Sequence, residues 1–194
     1  MKLFKPTAIL MLAATLSVLS SCDKVATEPV ASLAMNGCTD VKKMTIDGTS
    51  TSSTSPYSVH ISDLKKVSGN YVWIWAIKNN NPGNGKDGTV QDLSHWGIDL
   101  GSCIKLGDIV EAAYSIDKVN WKKFTPKFEV DKSQGCSDSK FLKFDFGTGG
   151  SKTSYYKLII TKNVTHVDRK AIYKSGKNTG CGVFETCGFG CAKN

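Results

Sequence analysis

The stretch NYVWIWAIK, residues 70–78, decides how this chain is read. Side chains alternate across an extended strand, which sets Tyr71, Trp73, Trp75 and Ile77 on one face and Val72, Ile74 and Ala76 on the other. Both faces are apolar, so the strand is expected to be central and covered on both sides. Working outward, the same period of two recurs. Tyr57, Val59 and Ile61 alternate with polar residues upstream. Downstream, residues 93–100 group Trp96, Ile98 and Leu100 against His95 and Asp99. Residues 109–116 and 119–124 flank Asp117 and Lys118, a plausible hairpin turn. Phe128 and Val130 form a short strand, Leu142, Phe144 and Phe146 share a face, and residues 155–161 and 169–173 complete the set. Turn-forming clusters at 79–88, 133–138 and 147–151 separate these runs. Helical spacing never persists for three turns. About eight short strands at this frequency predict an all-β chain, a single disulfide-bonded β-sandwich of Greek-key or immunoglobulin-like type over residues 56–177.

The amino terminus has a different character. Lys2 and Lys5 precede an apolar run, AILMLAATLSVL, and then Leu19-Ser20-Ser21-Cys22. A positive start, a short apolar stretch and small residues at a cut describe a secretory signal over residues 1–21. The run is too short to span a bilayer, which needs about 20 residues. Leu19 to Cys22 resembles the lipobox of bacterial lipoproteins, and the Ser-Cys-Asp-Lys start resembles those of the Bacteroidota. The resemblance implies cleavage before Cys22, acyl chains on that cysteine, and a protein held at a membrane. Two acyl chains suffice for stable anchoring where one does not. The expected location is extracytoplasmic, facing the periplasm or the cell surface, with the outer membrane favoured. Residues 22–55 then read as a tether and lead-in segment, with Val41, Met44 and Ile46 as a candidate first strand and a polar low-complexity stretch at 48–55.

Cleavage leaves 173 residues, enough for one domain with a substantial core. Of seven cysteines, Cys22 is reserved for lipid, and Cys38, Cys103, Cys136, Cys181, Cys187 and Cys191 remain. Six suit three disulfides in an oxidising compartment. Spacing does not choose the pairing. Cys103 with Cys136 is the pairing expected here, worth about 3 kcal/mol by loop closure. The alternative, metal at Cys181, Cys187 and Cys191, lacks paired knuckles and a nearby His. The Cys/Gly-rich residues 178–194 are expected to be a pinned tail packed on the domain.

Charge is uneven. Residues 84–117 carry two Lys against six acidic residues, whereas 118–177 carry fourteen basic against five acidic. A basic half of this kind suits either an acidic polysaccharide or lipid headgroups, or simply solvated lysines that block edge-to-edge aggregation. Export to a membrane surface argues against nucleic acid as a partner.

The run from Trp73 to Trp121 places a strand, an Asn/Gly loop and Leu-Ser-His-Trp ahead of a cysteine. It resembles secreted and cell-wall β-sandwich domains, which implies the fold and no functional residue. No catalytic constellation stands out. Ser94 and His95 are neighbours on a strand and are expected to point apart. His60, His95 and His166 are scattered, and neither G-x-S-x-G nor H-E-x-x-H occurs. Hydrolysis by a remote triad ranks below binding. The long loop at 79–88 is the candidate binding loop, with Asn80, Asn81, Asn84 and Asp87. It offers too few carboxylates for calcium, and no cofactor or metal is expected. Trp73, Trp75 and Trp96 read as core, while Trp121, among Asn120, Lys122 and Lys123, is the candidate for stacking on a sugar. The expected function is a membrane-anchored binding or adhesion module for a glycan or a surface protein. The alternative is an accessory component of an envelope assembly.

Overall fold

The computed structural model describes residues 55–132 and 135–190, and the backbone of 27–28. Eleven strands lie in these residues: β1 (Thr27–Glu28), β2 (Tyr57–Val67), β3 (Asn70–Asn79), β4 (Leu93–Ile98), β5 (Ile109–Ser115), β6 (Lys122–Phe124), β7 (Phe128–Val130), β8 (Lys140–Phe144), β9 (Thr153–Ile160), β10 (Thr165–Ser175) and β11 (Cys181–Gly190). A single 3-10 turn at Leu106–Asp108 is the one helical element among the described residues. The strands pair antiparallel into two sheets, β1-β2-β3-β9-β5-β6 and β11-β10-β4-β8-β7. The orders β2-β3-β9-β5 and β11-β10-β4 reproduce the immunoglobulin constant-type arrangement, with β6, β7 and β8 inserted before the fifth of those seven strands. The all-β sandwich read from the sequence is the fold.

Local chemistry explains the pairing. Ser68 and Gly69 both hold positive φ, 50° and 81°, between the paired residues Val67 and Asn70. That left-handed pair of residues makes the tight hairpin turn whose twist matches antiparallel strands. β3 sits between β2 and β9, as its doubly apolar pattern requires. Trp73, Trp75 and Ile77 point between the sheets and are fully buried, while Val72, Ile74 and Ala76 on the outer face are also buried. Trp75 meets Trp96 of the opposite sheet edge-to-face at 5.9 Å, and Trp96 stacks on Phe144 at 5.1 Å and meets Tyr156 at 5.2 Å. Each such pair adds about 0.5–1.5 kcal/mol beyond area burial. Tyr57 links the sheets differently: its hydroxyl donates to Gln91 O at 2.7 Å and lies 2.8 Å from Ser175 Oγ. Burial pushes this phenol up to about 12.

Two expectations are corrected. Cys136 bonds to Cys181 across a Cα–Cα distance of 6.1 Å, so the expected Cys103–Cys136 bridge does not form. Cys103 and Cys187 are also disulfide-bonded. Cys22, Cys38 and Cys191 lie outside the described residues, as do the expected signal, the lipobox-like stretch and the candidate first strand at 41–46. Second, the stretch expected as a tail supplies β11, ten residues that pair with Thr165 to Lys174 of β10. Its glycines disguised it. A side chain on Gly188 would meet Arg169 and Ile98 at 3.0 Å, and one on Gly182 would meet Tyr173 at 3.0 Å. Glycine in a strand here marks close packing rather than irregular chain.

Candidate functional site

A groove of about 520 Å³ runs over the outer face of the six-stranded sheet. Its floor is Val72 and Ile74 of β3 and Ile159 of β9, and Val110 of β5 stands at the rim, 57% exposed. Asp63, Lys65 and Val67 of β2, Ser68 and Asn70 of the first hairpin, and Lys118, Trp121 and Lys157 complete the lining. The register explains the convergence: Val72 pairs with Ile159 and with Lys65, and Ile74 pairs with Lys157 and Asp63. Residues up to about a hundred apart in sequence thus share one face.

Trp121 is held there by the β5–β6 hairpin. Asp117 Oδ1 accepts from the backbone N–H of Val119 and Asn120 at 2.8 Å and from Ser115 Oγ at 2.8 Å, while its Oδ2 accepts from Asn120 Nδ2 at 2.7 Å. These bonds, led by that from the Asn120 backbone, hold the Asp117 carboxyl well below the ordinary carboxylate range. Lys118 then takes a positive φ of 61°, and its carbonyl accepts from Trp121 Nε1 at 2.9 Å. The indole is folded back over the sheet, where the Lys157 ammonium lies 4.4 Å from its centroid. Lys118 in turn sits 4.9 Å from the Tyr155 ring. Two cation–π contacts therefore pin the hairpin to β9.

Beneath them, Glu111 Oε1 accepts from Lys157 at 2.7 Å and Oε2 from Lys123 at 2.5 Å. Burial pushes the Glu111 carboxyl up, and the two lysine hydrogen bonds more than offset this, so it stays below its ordinary value. The wall of the groove is thus an indole with a fixed edge, beside the Lys157 side chain.

The predicted loop residues do not join this site. Asn80, Asn81, Asn84 and Asp87 follow the carboxyl end of β3, whereas the groove uses its amino half. The eight residue steps from Val72 to Asn80, just past the end of β3, span about 26 Å in extended chain. The loop also consumes its own polar groups. Asn79 Nδ2 donates to Val90 O at 2.8 Å, Asn81 Nδ2 to Gly88 O at 2.8 Å, and Asn84 Oδ1 accepts from Lys86 N at 2.9 Å. Asn178 Nδ2 donates to Asn84 O at 2.8 Å, tying the loop to the β10–β11 turn. Asp87 takes a positive φ of 51° as a turn residue. Among the described residues, no group of three or more His, Cys, Asp or Glu is placed to hold a metal.

The expectation that Ser94 and His95 point apart is corrected. Ser94 Oγ lies 3.4 Å from His95 Nδ1, and His95 Nε2 meets the Asp131 carboxylate. Both His95 and Asp131 side chains are under a tenth exposed. A contact of 3.4 Å is at the outer limit of a hydrogen bond, and the carboxylate occupies the other ring nitrogen. The geometry reads as a clasp between β4 and the loop after β7, which also carries Cys136. His166 is apart from it, with its ring 4.9 Å from Trp73 and both nitrogens buried without a hydrogen-bond partner.

No protein-family model matches this chain, and no curated protein is detectably similar to it in sequence. The groove therefore has to be judged on its own chemistry. Of its residues only Trp121 was singled out from the sequence. Lys65, Lys118 and Lys157 are ordinary lysines on alternating strands or a turn, and nothing local marks them. A sequence signal exists only in combination, as the basic excess of residues 118–177.

Proposed function

We propose that this protein is a membrane-anchored binding module, lipidated at Cys22 in the manner its lipobox suggests, whose outer-face groove receives a glycan. The observation that carries the reading is the pairing of an indole wall with an apolar floor and a polar rim. Sugar rings present C–H faces that lie against aromatic and aliphatic surfaces, and hydroxyls that bond to groups such as Asn70, Ser68 and Asp63. A volume near 520 Å³ falls within the range of small-ligand sites and suits a few sugar units. The Cys136–Cys181 disulfide supports an oxidising, extracytoplasmic location.

Retention on a glycan array is the test, with Trp121→Ala and Asn84→Ala compared. Loss of retention in the first variant alone is the expected result. Equal retention by both removes the groove from the reading. Protease shaving of intact cells, with Cys22→Ala as control, tests the anchor: release of the control into the soluble fraction is expected.

A second reading, as a component of an envelope assembly, draws on Ile116 and Val119. These are 60% and 77% exposed at the tip of the Trp121 hairpin. Crosslinking in cells would give discrete protein adducts under that reading, and only monomer otherwise.

A further inference from the structure

We infer that the groove selects glycans carrying negative charge, as carboxylate or sulfate substituents, over neutral ones. This rests on the glycan reading above. Three lysines line the groove, Lys65, Lys118 and Lys157, against one acidic residue, Asp63, an excess of two positive charges. The partners outside the lining do not cancel it. Glu111 is shared between Lys157 and Lys123, so that trio retains one positive charge. Lys118 has the Tyr155 ring as its neighbour rather than a carboxylate. Lys65 pairs with Asp63 at 3.3 Å, but both side chains are more than a third exposed. An exposed pair of that kind is weak and can exchange for a ligand anion.

The position of the charge matters as much as its sum. The Lys157 ammonium lies 4.4 Å from the Trp121 ring, so a sugar along the indole brings its substituents within reach of that cation. The floor of Val72, Ile74 and Ile159 excludes water from one side and strengthens the attraction. Lysines are point charges without the fixed fork of arginine, so carboxylate and sulfate are both accommodated and charge is the selected feature.

The test titrates the full-length protein with polygalacturonate and with the same polymer methyl-esterified, which keeps the sugars and removes the charge. Alginate, hyaluronan and dextran sulfate, beside neutral dextran and xylan, extend the panel. The acidic form is expected to bind at least about tenfold more tightly at low salt, with the advantage shrinking as ionic strength rises. Lys118→Gln, an exposed substitution that leaves the core intact, should reduce the advantage, and Trp121→Ala should weaken binding of both forms about 30-fold. Equal binding of acidic and esterified polymers, weakened in Trp121→Ala, overturns the charge preference and leaves the glycan reading standing. Charge-dependent binding that is unchanged in Trp121→Ala overturns the assignment to this groove. Binding to no polysaccharide of the panel overturns both.

Discussion

The Trp121 groove and the Asn/Gly-rich loop after β3 are both rich in polar residues, yet they use them in opposite ways. In the loop, Asn79, Asn81 and Asn84 turn inward on the backbone that carries them. Their hydrogen-bonding capacity is spent holding a long connection in one shape, which is what a chain departing from regular pairing needs. Around the groove, Asn70, Ser68 and the lysines stand on strands or tight turns whose backbone is already satisfied by the sheet, so their side chains turn to one another and to the open groove rather than to the local backbone. The difference teaches that polar composition marks a binding site poorly. What counts is whether the local backbone has already claimed the polar groups.

Several substitutions would break or sharpen this contrast. The largest effect is expected from Trp121→Ala, which should weaken glycan binding about 30-fold, or about 2 kcal/mol, as for a buried aromatic anchor. Titration calorimetry measures it, and thermal melting should move little because Trp121 lies outside the core. Asn79→Ala should do the reverse. It removes a fully buried amide that bonds Val90 O and accepts from Asn81 N. Stability should fall by about 1–2 kcal/mol in urea unfolding, with glycan affinity unchanged. A loss of affinity there would return the loop to the site. Glu111→Gln offers a finer probe. Removing the anion beneath Lys157 leaves more positive charge at the groove and should tighten acidic-glycan binding about threefold, whereas Asp87→Asn in the loop should change nothing.

The smallest effect concerns pH and the core behind neither region. Burial lowers the pKa of His166 below its ordinary value. The unfolded chain takes up a proton near pH 6.5 that the native ring resists, so stability should decline as pH falls below about 6.5. Replacing it, His166→Phe, should flatten that part of the profile. An unchanged slope would show that the ring protonates in place.

How legible the molecule was depended on the range of the interactions. The strand at 70–78 announced itself because alternation is a property of consecutive residues, and its two apolar faces correctly implied a central position in the sheet, though the outer face floors a groove rather than lying under a second layer. The strands at 109–115 and 128–130 were read almost to the residue for the same reason, and the one read as far as Phe146 ends at Phe144. β11 was missed because its glycines look like irregular chain until Arg169, Ile98 and Tyr173 are packed against them. The disulfide was misassigned because spacing along a chain does not say which loop folds over which sheet. Trp121 was legible as an unusual aromatic among polar residues, but the groove beside it was not, since Lys65, Lys118 and Lys157 belong to three separate segments.

The sequence by itself determined the fold class and the identity of the aromatic core, because side-chain period and apolar character act locally and are written residue by residue. It also carries Leu19-Ser20-Ser21-Cys22, a stretch that resembles a lipobox and is read along the chain alone. Only the tertiary structure decided the pairing of Cys136 with Cys181, the clasp of His95 with Asp131, and the meeting of Trp121 with Lys157. Each joins residues at least 36 positions apart, and their separation in space is set by sheet order and register, which no local pattern specifies.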